Sequence, residues 1–370
     1  MIVMDLKIDN FYAFKNFQMN MSYPKKIIDS NIENEFMKDR PNFRYKKVNI
    51  IMGGNATGKT SIGKMLMRVF NFIDKKDFDS LTSTICDASK VATFSIDIAL
   101  KDFKLYRIET IISPNTEKKY AISDIKVVVK SAKINKNDSY ESTAKKLTKL
   151  NNSDSINYIV ELEKISSKLG WLFAYAKDEA YLNENNKDEN YLKILNYTLK
   201  ALDPSIIEVE KVPNVEDSYV IKTKHHNLIM QEGQVLNDSP LSSGTIAGID
   251  IAFMISSIKN GAHGFYYCDE KFSYVHSDIE KAFLSLMINL LKDNDQLFFT
   301  THNTDILELA LPKHAYTFLK KDMTDREQPI KVVNAAEYLK RNTDSLSNAV
   351  DNDLFSSAPS LELIYEIEDI

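Results

Sequence analysis

The chain has 370 residues, a formal net charge of −5, a hydrophobic fraction of 44% and two cysteines, Cys86 and Cys268. That is enough apolar matter for one large or two modest domains, and too few cysteines for a disulfide scaffold or a zinc cluster. No run approaches the ~18–20 apolar residues of a membrane span, the start MIVMDLKIDNFYAF lacks a signal peptide's order, and the acidic balance gives no global attraction to DNA; a cytoplasmic protein without membrane contact is expected.

Residues 3–9 alternate apolar and polar side chains, as a half-buried strand does. Phe11, Tyr12, Phe14 and Phe17 follow, and the polar stretch 24–46 with Pro24 and Pro41 reads as a loop or a short helical excursion. VNIIMGG (48–54) predicts an apolar strand entering a glycine turn, and KTSIGKMLMRVFNFI (59–73) a helix. Three strand-like runs, 91–100, 103–112 and 122–132, are most economically an antiparallel meander. A polar stretch at 133–160 reads as a solvated insertion. Helical patterning returns over 156–177 and 191–202, and 206–212 with 219–223 predicts a hairpin. After residue 240 the order becomes helix, strand, helix, strand, helix. The strands GFYYCD (264–269) and QLFFTT (296–301) are nearly all apolar, as parallel strands buried on both faces are. No heptad pattern persists, which excludes a very long coiled coil. The end, LELIYEIEDI (361–370), is acidic and apolar, suited to docking on the body or on a partner.

Four segments carry chemistry. GGNATGKT (53–60) fits G-x-x-x-x-G-K-[ST], a curled backbone whose N–H groups face phosphate oxygens at a helix start. Gly53, Asn55, Ala56, Thr57, Gly58, Lys59, Thr60 and Ser61 are its nucleotide-binding candidates. Lys59 is suited to the β- and γ-phosphates and Thr60 to Mg²⁺. GFYYCDE ends a buried strand in two carboxylates, Asp269 for the metal and Glu270 as the base that polarises water. A second buried strand ends in His302, placed to hydrogen-bond the γ-phosphate or the attacking water. LSSGT (241–245) opens a further helix, and its Ser242, Ser243 and Gly244 form a second anion-binding helix start. One nucleotide needs only one such start, so the economical arrangement is a head-to-tail dimer in which each LSSGT completes the other subunit's site. Taken alone, the segment is an ordinary serine cap.

Together these segments resemble the ABC-type ATPases of the SMC, RecF, Rad50 and OLD group, especially the stand-alone ATPases of phage-defence systems. LKIDNFYAFKNF is similar to the group's opening strand, GGNATGKTS to its Walker A motif, LSSGT to its signature, and THNTDIL to its H-loop. DEKFSYVHSDIE resembles Walker B plus D-loop, with Val275-His276-Ser277 standing where LHP is usual and His276 as the D-loop residue. The resemblance implies an α/β ATPase head, with a P-loop mixed core sheet, an N-terminal antiparallel β subdomain and a helical insertion. It divides the chain at 1–130, 131–190 (the insertion, an arm or lid), 191–320, and 321–370 (an extension suited to docking). It also implies an aromatic near Phe11–Phe14 against adenine, ATP and Mg²⁺ as ligands, and a homodimer or higher homo-oligomer around ATP. One departure stands out: between Ser61 and Met230 the sequence has no glutamine, so either a polar residue near 122–126 replaces the Q-loop glutamine or hydrolysis is slow. With no TOPRIM nuclease segment, the resemblance implies a separately encoded effector. Two alternatives follow from the same residues. One is a scaffold held together by ATP with little turnover; the other is a DNA-binding repair ATPase that uses the lysines of 118–149.

Overall fold

A computed structural model of the chain describes residues 1–28, 30–149, 157–165, 167–176, 181–182, 190–236, 241–341, 344–355, 365 and 367. In chain order its principal elements are β1 (Ile2–Asp9), β2 (Phe17–Asn20), β3 (Val48–Met52), helix α1 (Lys59–Lys75), β4 (Ala92–Ala99), β5 (Lys104–Ile112), β6 (Ile125–Lys133) and β7 (Trp171–Tyr175). They continue as α2 (Tyr191–Leu202), β8 (Ile206–Lys211), β9 (Ser218–Thr223), β10 (Asn227–Gln231), α3 (Ser243–Asn260), β11 (Phe265–Asp269), α4 (Ser277–Leu290), β12 (Gln296–Thr300), β13 (Tyr316–Lys321) and β14 (Ile330–Asn334).

The core sheet runs β7-β11-β12-β3-β13-β14, with the short strand Tyr181–Leu182 outside β7. From β7 to β13 the neighbours are parallel, and both edges are antiparallel. Every residue of β3, β7, β11 and β12 is buried, because both faces are covered and neither is open to solvent. The period of two then sorts the side chains. Phe265 and Tyr267 join the cluster that contains Leu66, Val69 and Phe70 of α1, whereas Tyr266 and Cys268 join the one that contains α3 and α4.

The N-terminal sheet is the expected antiparallel meander, in the order β2-β1-β4-β5-β6. Its inner face, with Phe94, Ile96, Ile108 and Val127, shares a cluster with α1. That helix is the wedge between the two sheets. The hairpin expected at 206–223 grows into a four-stranded antiparallel sheet of β8, β9, β10 and Gln234–Val235.

Three expectations are corrected. Among its described residues, the stretch 156–177 is helical only at Tyr158–Leu162 and then becomes β7. WLFAY is a five-residue apolar run with no period to separate buried strand from helix, and β11 supplies the parallel partner that decides it. Nor do the described residues of 131–190 form a helical arm, since Thr148–Lys149 extends the meander and β7 lies inside the core sheet; 150–156, 177–180 and 183–189 lie outside the described residues. The described residues of 24–46 form no helix but a small hairpin, Phe36–Met37 with Arg40–Arg44. Beyond β14 the chain packs back on the head, with Phe355 stacked on Phe318 at 4.2 Å. Of the docking segment at 361–370, only Tyr365 and Ile367 are described, and both are exposed. No helix among the described residues is long and apolar enough to cross a membrane.

Candidate functional site

The parallel strands β3, β11 and β12 end side by side, and their carboxyl ends carry the chemistry. After β3 the backbone turns at Gly53, with φ 151°, and Gly58, with φ 98°. A Cβ on Gly53 would stand 2.4 Å from the Leu319 carbonyl oxygen of β13, so only glycine fits there. Asn55 and Ala56 form the exposed crest, and Ser61 is half-buried on the first turn of α1. Thr57 Oγ1 donates to the Gly54 carbonyl at 2.8 Å. No side chain caps the start of α1 at Gly58, which leaves its first N–H groups for an anion.

Lys59 is buried, and its ammonium donates to the carbonyls of Gly53 at 2.8 Å and Gly54 at 3.1 Å. It stands 3.4 Å from Glu270 Oε1. Burial pulls the lysine's pKa below its usual value, while Glu270 pushes it back up. The Lys59 backbone is fixed from below, because Tyr267 OH donates to its carbonyl at 2.7 Å. A Cβ on Gly63, one turn on, would lie 2.5 Å from the Tyr267 ring.

The two consecutive carboxylates have different surroundings. Asp269 Oδ2 accepts from Thr60 Oγ1 at 2.6 Å, and Oδ1 from Thr300 Oγ1 at 2.7 Å. Burial raises its pKa above the ordinary carboxylate range, and the two hydroxyls oppose that. Glu270 has left-handed backbone, with φ 48°, a conformation that costs a non-glycine residue about 1–2 kcal/mol. Its N–H donates to Thr300 Oγ1 at 3.0 Å. Its Oε1 lies 2.9 Å from His302 Nε2. The bond to His302, and then the Lys59 charge, hold its pKa below the usual value. So Glu270 is held ionised, while Asp269 sits with hydroxyl donors. One hydroxyl and one carboxylate, Thr60 and Asp269, make the hard oxygen set that suits Mg²⁺ when phosphates and water complete the shell.

The structure therefore brings Lys59, Thr60, Asp269, Glu270 and His302 together. Ser242, Ser243, Gly244 and His276 make their contacts elsewhere. Ser242 caps α3 by accepting from Thr245 N at 3.1 Å, and Ser243 is exposed. A Cβ on Gly244 would stand 2.8 Å from the Tyr274 carbonyl. His276 caps α4, its Nδ1 accepting from Asp278 N at 3.2 Å.

Two expectations change here. Phe11 and Phe14 are wholly buried, with Phe14 packed on Phe17 at 4.6 Å, so neither ring is free to lie against a base. Tyr12 is the half-buried aromatic of that loop, and its hydroxyl accepts from Arg68 Nε at 2.9 Å. Ile122–Asp124 form a 3₁₀ turn and Ile125 opens β6 on the meander, whereas the strand beside β11 is β7, with Tyr175 opposite Asp269. The next residues, 177–180, lie outside the described residues.

Sequence reasoning missed Tyr267, Thr300 and Lys271. Lys271 is buried, and it donates to the Tyr175 carbonyl at 2.8 Å and pairs with Asp250 of α3 at 2.5 Å. Thr300 carried a weak signal, as a hydroxyl at the last inward position of an apolar strand.

No family model and no curated protein matches the sequence. The fold does have counterparts. An SMC head bound to the C-terminal winged-helix domain of ScpA is 14% identical with a TM-score of 0.51, over 90% of this chain and 98% of that one. An SMC head with an extended coiled coil, bound to the C-terminal domain of ScpA and derived from Pyrococcus furiosus, is 13% identical with a TM-score of 0.51, over 92% and 98%. The chain has the fold of SMC head domains.

Proposed function

We propose that this chain is an ATPase that binds Mg-ATP at Gly53–Ser61 and closes into a head-to-tail homodimer around it. In that dimer Ser242, Ser243 and Gly244 of each copy complete the other's site, and closure controls a separately encoded effector, in antiphage defence. The observation that carries the enzymatic part is the division of labour between adjacent carboxylates: Asp269 on Thr60 and Thr300, Glu270 on Lys59 and His302. Lys59 and the N–H groups opening α1 hold phosphate charge. Thr60 and Asp269 would hold Mg²⁺, which when bound neutralises developing charge on the phosphates. Glu270, kept ionised by its neighbours, orients a water and accepts its proton. His302 fixes the Glu270 carboxylate and stands at the γ-phosphate end of the cleft.

Support for a protein partner comes from the fold's counterparts, since both SMC heads are bound to a ScpA domain. The scaffold alternative draws on the missing glutamine between Ser61 and Met230. Duplex binding has less support, because Lys130 is paired with Glu109 and Lys146 with Asp138.

The test is the mass of the protein with and without Mg-ATP, with phosphate release followed in parallel. Glu270→Gln should accumulate ATP-bound dimers while turnover falls about a hundredfold or more, and Lys59→Ala should abolish nucleotide binding. Wild-type turnover in either variant removes these assignments. Tight ATP retention without turnover in the wild type favours the scaffold.

A further inference from the structure

His302 stands on the short segment 301–303 that leaves β12, and the residues on both sides of it are held by one carboxylate from another element. Glu280 lies on the first turn of α4 and is 4% exposed. Its Oε1 accepts from Thr301 Oγ1 at 2.8 Å, and its Oε2 from Asn303 Nδ2 at 2.8 Å. The donors are fixed in turn. Thr301 Oγ1 accepts from Asn303 N at 3.0 Å, which leaves its hydroxyl proton for Glu280. Asn303 Oδ1 accepts from Asp305 N at 3.0 Å, which turns its NH₂ toward Glu280 and Ser277 Oγ. Ser277 also bonds Asp305. Two acceptor oxygens thus meet two committed donors, the pattern of a clamp on residues 301–303.

We propose that Glu280 is the positioning residue of this site: it holds His302 against Glu270 and ties that contact to the D-loop helix. The tie is short. Glu280 and the exposed cap His276 share the first turn of α4, where Glu280 N donates to the His276 carbonyl at 3.0 Å. A second copy pressing on His276 therefore acts on the segment that carries His302 through one helical turn and two hydrogen bonds. The turnover part of this inference rests on the ATPase reading above; the positional part does not.

Glu280→Gln keeps size and shape but sets an amide donor against the donors Asn303 Nδ2 or Thr301 Oγ1. The direct readout is the His302 ring resonance in the full-length protein, assigned by its loss in His302→Ala. Glu280→Gln should move it, and Asn303→Ala, at a half-buried position, should move it in a protein that keeps the other clamp bond. Turnover should fall roughly tenfold to a hundredfold, while nucleotide affinity changes by less than about twofold because Lys59 is untouched. Combining Glu280→Gln with His302→Ala should be no worse than His302→Ala alone, since both act through the same ring. A ring resonance unmoved in both clamp variants overturns the proposal, and so do losses that multiply in the double variant. Wild-type turnover in His302→Ala instead removes the role given to His302, while the resonance still judges the clamp.

Discussion

The cluster around Lys59 and the segment around Ser242 are built in opposite ways. Lys59, Asp269, Glu270 and His302 come from strand ends far apart in sequence, and Thr60, Thr300, Tyr267 and two loop carbonyls satisfy them within the chain. Among the described residues the side chains of Ser242 and His276 bond only to residues two or three positions on, and both residues are exposed. Buried charge needs partners that tertiary structure delivers, because an unanswered one costs several kcal/mol. An exposed cap needs only its own helix, and its outer face stays open for another surface. On the proposed reading, a site and the surface that completes another copy's site should differ in this way.

Substitutions can break or sharpen that contrast. The largest effect is expected where the two regions are joined, at the pair of buried Lys271 and half-buried Asp250 between the end of β11 and helix α3. Lys271→Met should destabilise by about 2 kcal/mol, since it removes the ammonium paired with a half-buried carboxylate. Adding Asp250→Asn should return much of that, and denaturant unfolding of the single and double variants checks both. Equal instability in the two would mean that packing, not charge, joins the regions. Tyr267→Phe removes a buried donor from the Lys59 carbonyl and should cost about 1–2 kcal/mol, with weaker nucleotide binding measured by titration; unchanged affinity would show that the P-loop does not need this floor. Ser242→Ala is the mildest, about 1 kcal/mol from the lost cap. It should leave nucleotide affinity in dilute protein alone and lower turnover only where copies meet. A drop in dilute-protein affinity would end the contrast by placing Ser242 at its own chain's site.

What the sequence made legible follows from how local each signal is. The P-loop is one continuous segment whose glycines, lysine and threonine act through the backbone next to them. Asp269 and Glu270 close an all-apolar strand, where a pair of carboxylates is conspicuous. Trp171–Tyr175 was not legible as a strand, because its partner lies beyond residue 264 and nothing near it breaks the helix–strand tie. Lys271 and Glu280 have the ordinary sequence appearance of surface charges; burial and partners decide otherwise, and both are tertiary. Phe11 and Phe14 were legible as aromatic, but which way a ring faces depends on the sheet that receives it.

The order of the core sheet has a consequence for how the molecule comes into being. The meander's strands lie within the first 133 residues, apart from the edge pair at 148–149, and can pair before the second half of the chain is made. β3, entirely buried, is different: its two neighbours are β12, which begins at Gln296, and β13, which ends at Lys321. At translation rates of about 5–20 residues per second, that strand waits on the order of ten to fifty seconds for its first pairing partner. Long-range parallel pairing is slow and leaves apolar edges exposed in the interval. The cluster around Lys59 is therefore among the last features of the chain to exist, and nascent chains released before residue 296 carry residues 53–60 on an unpaired, aggregation-prone strand.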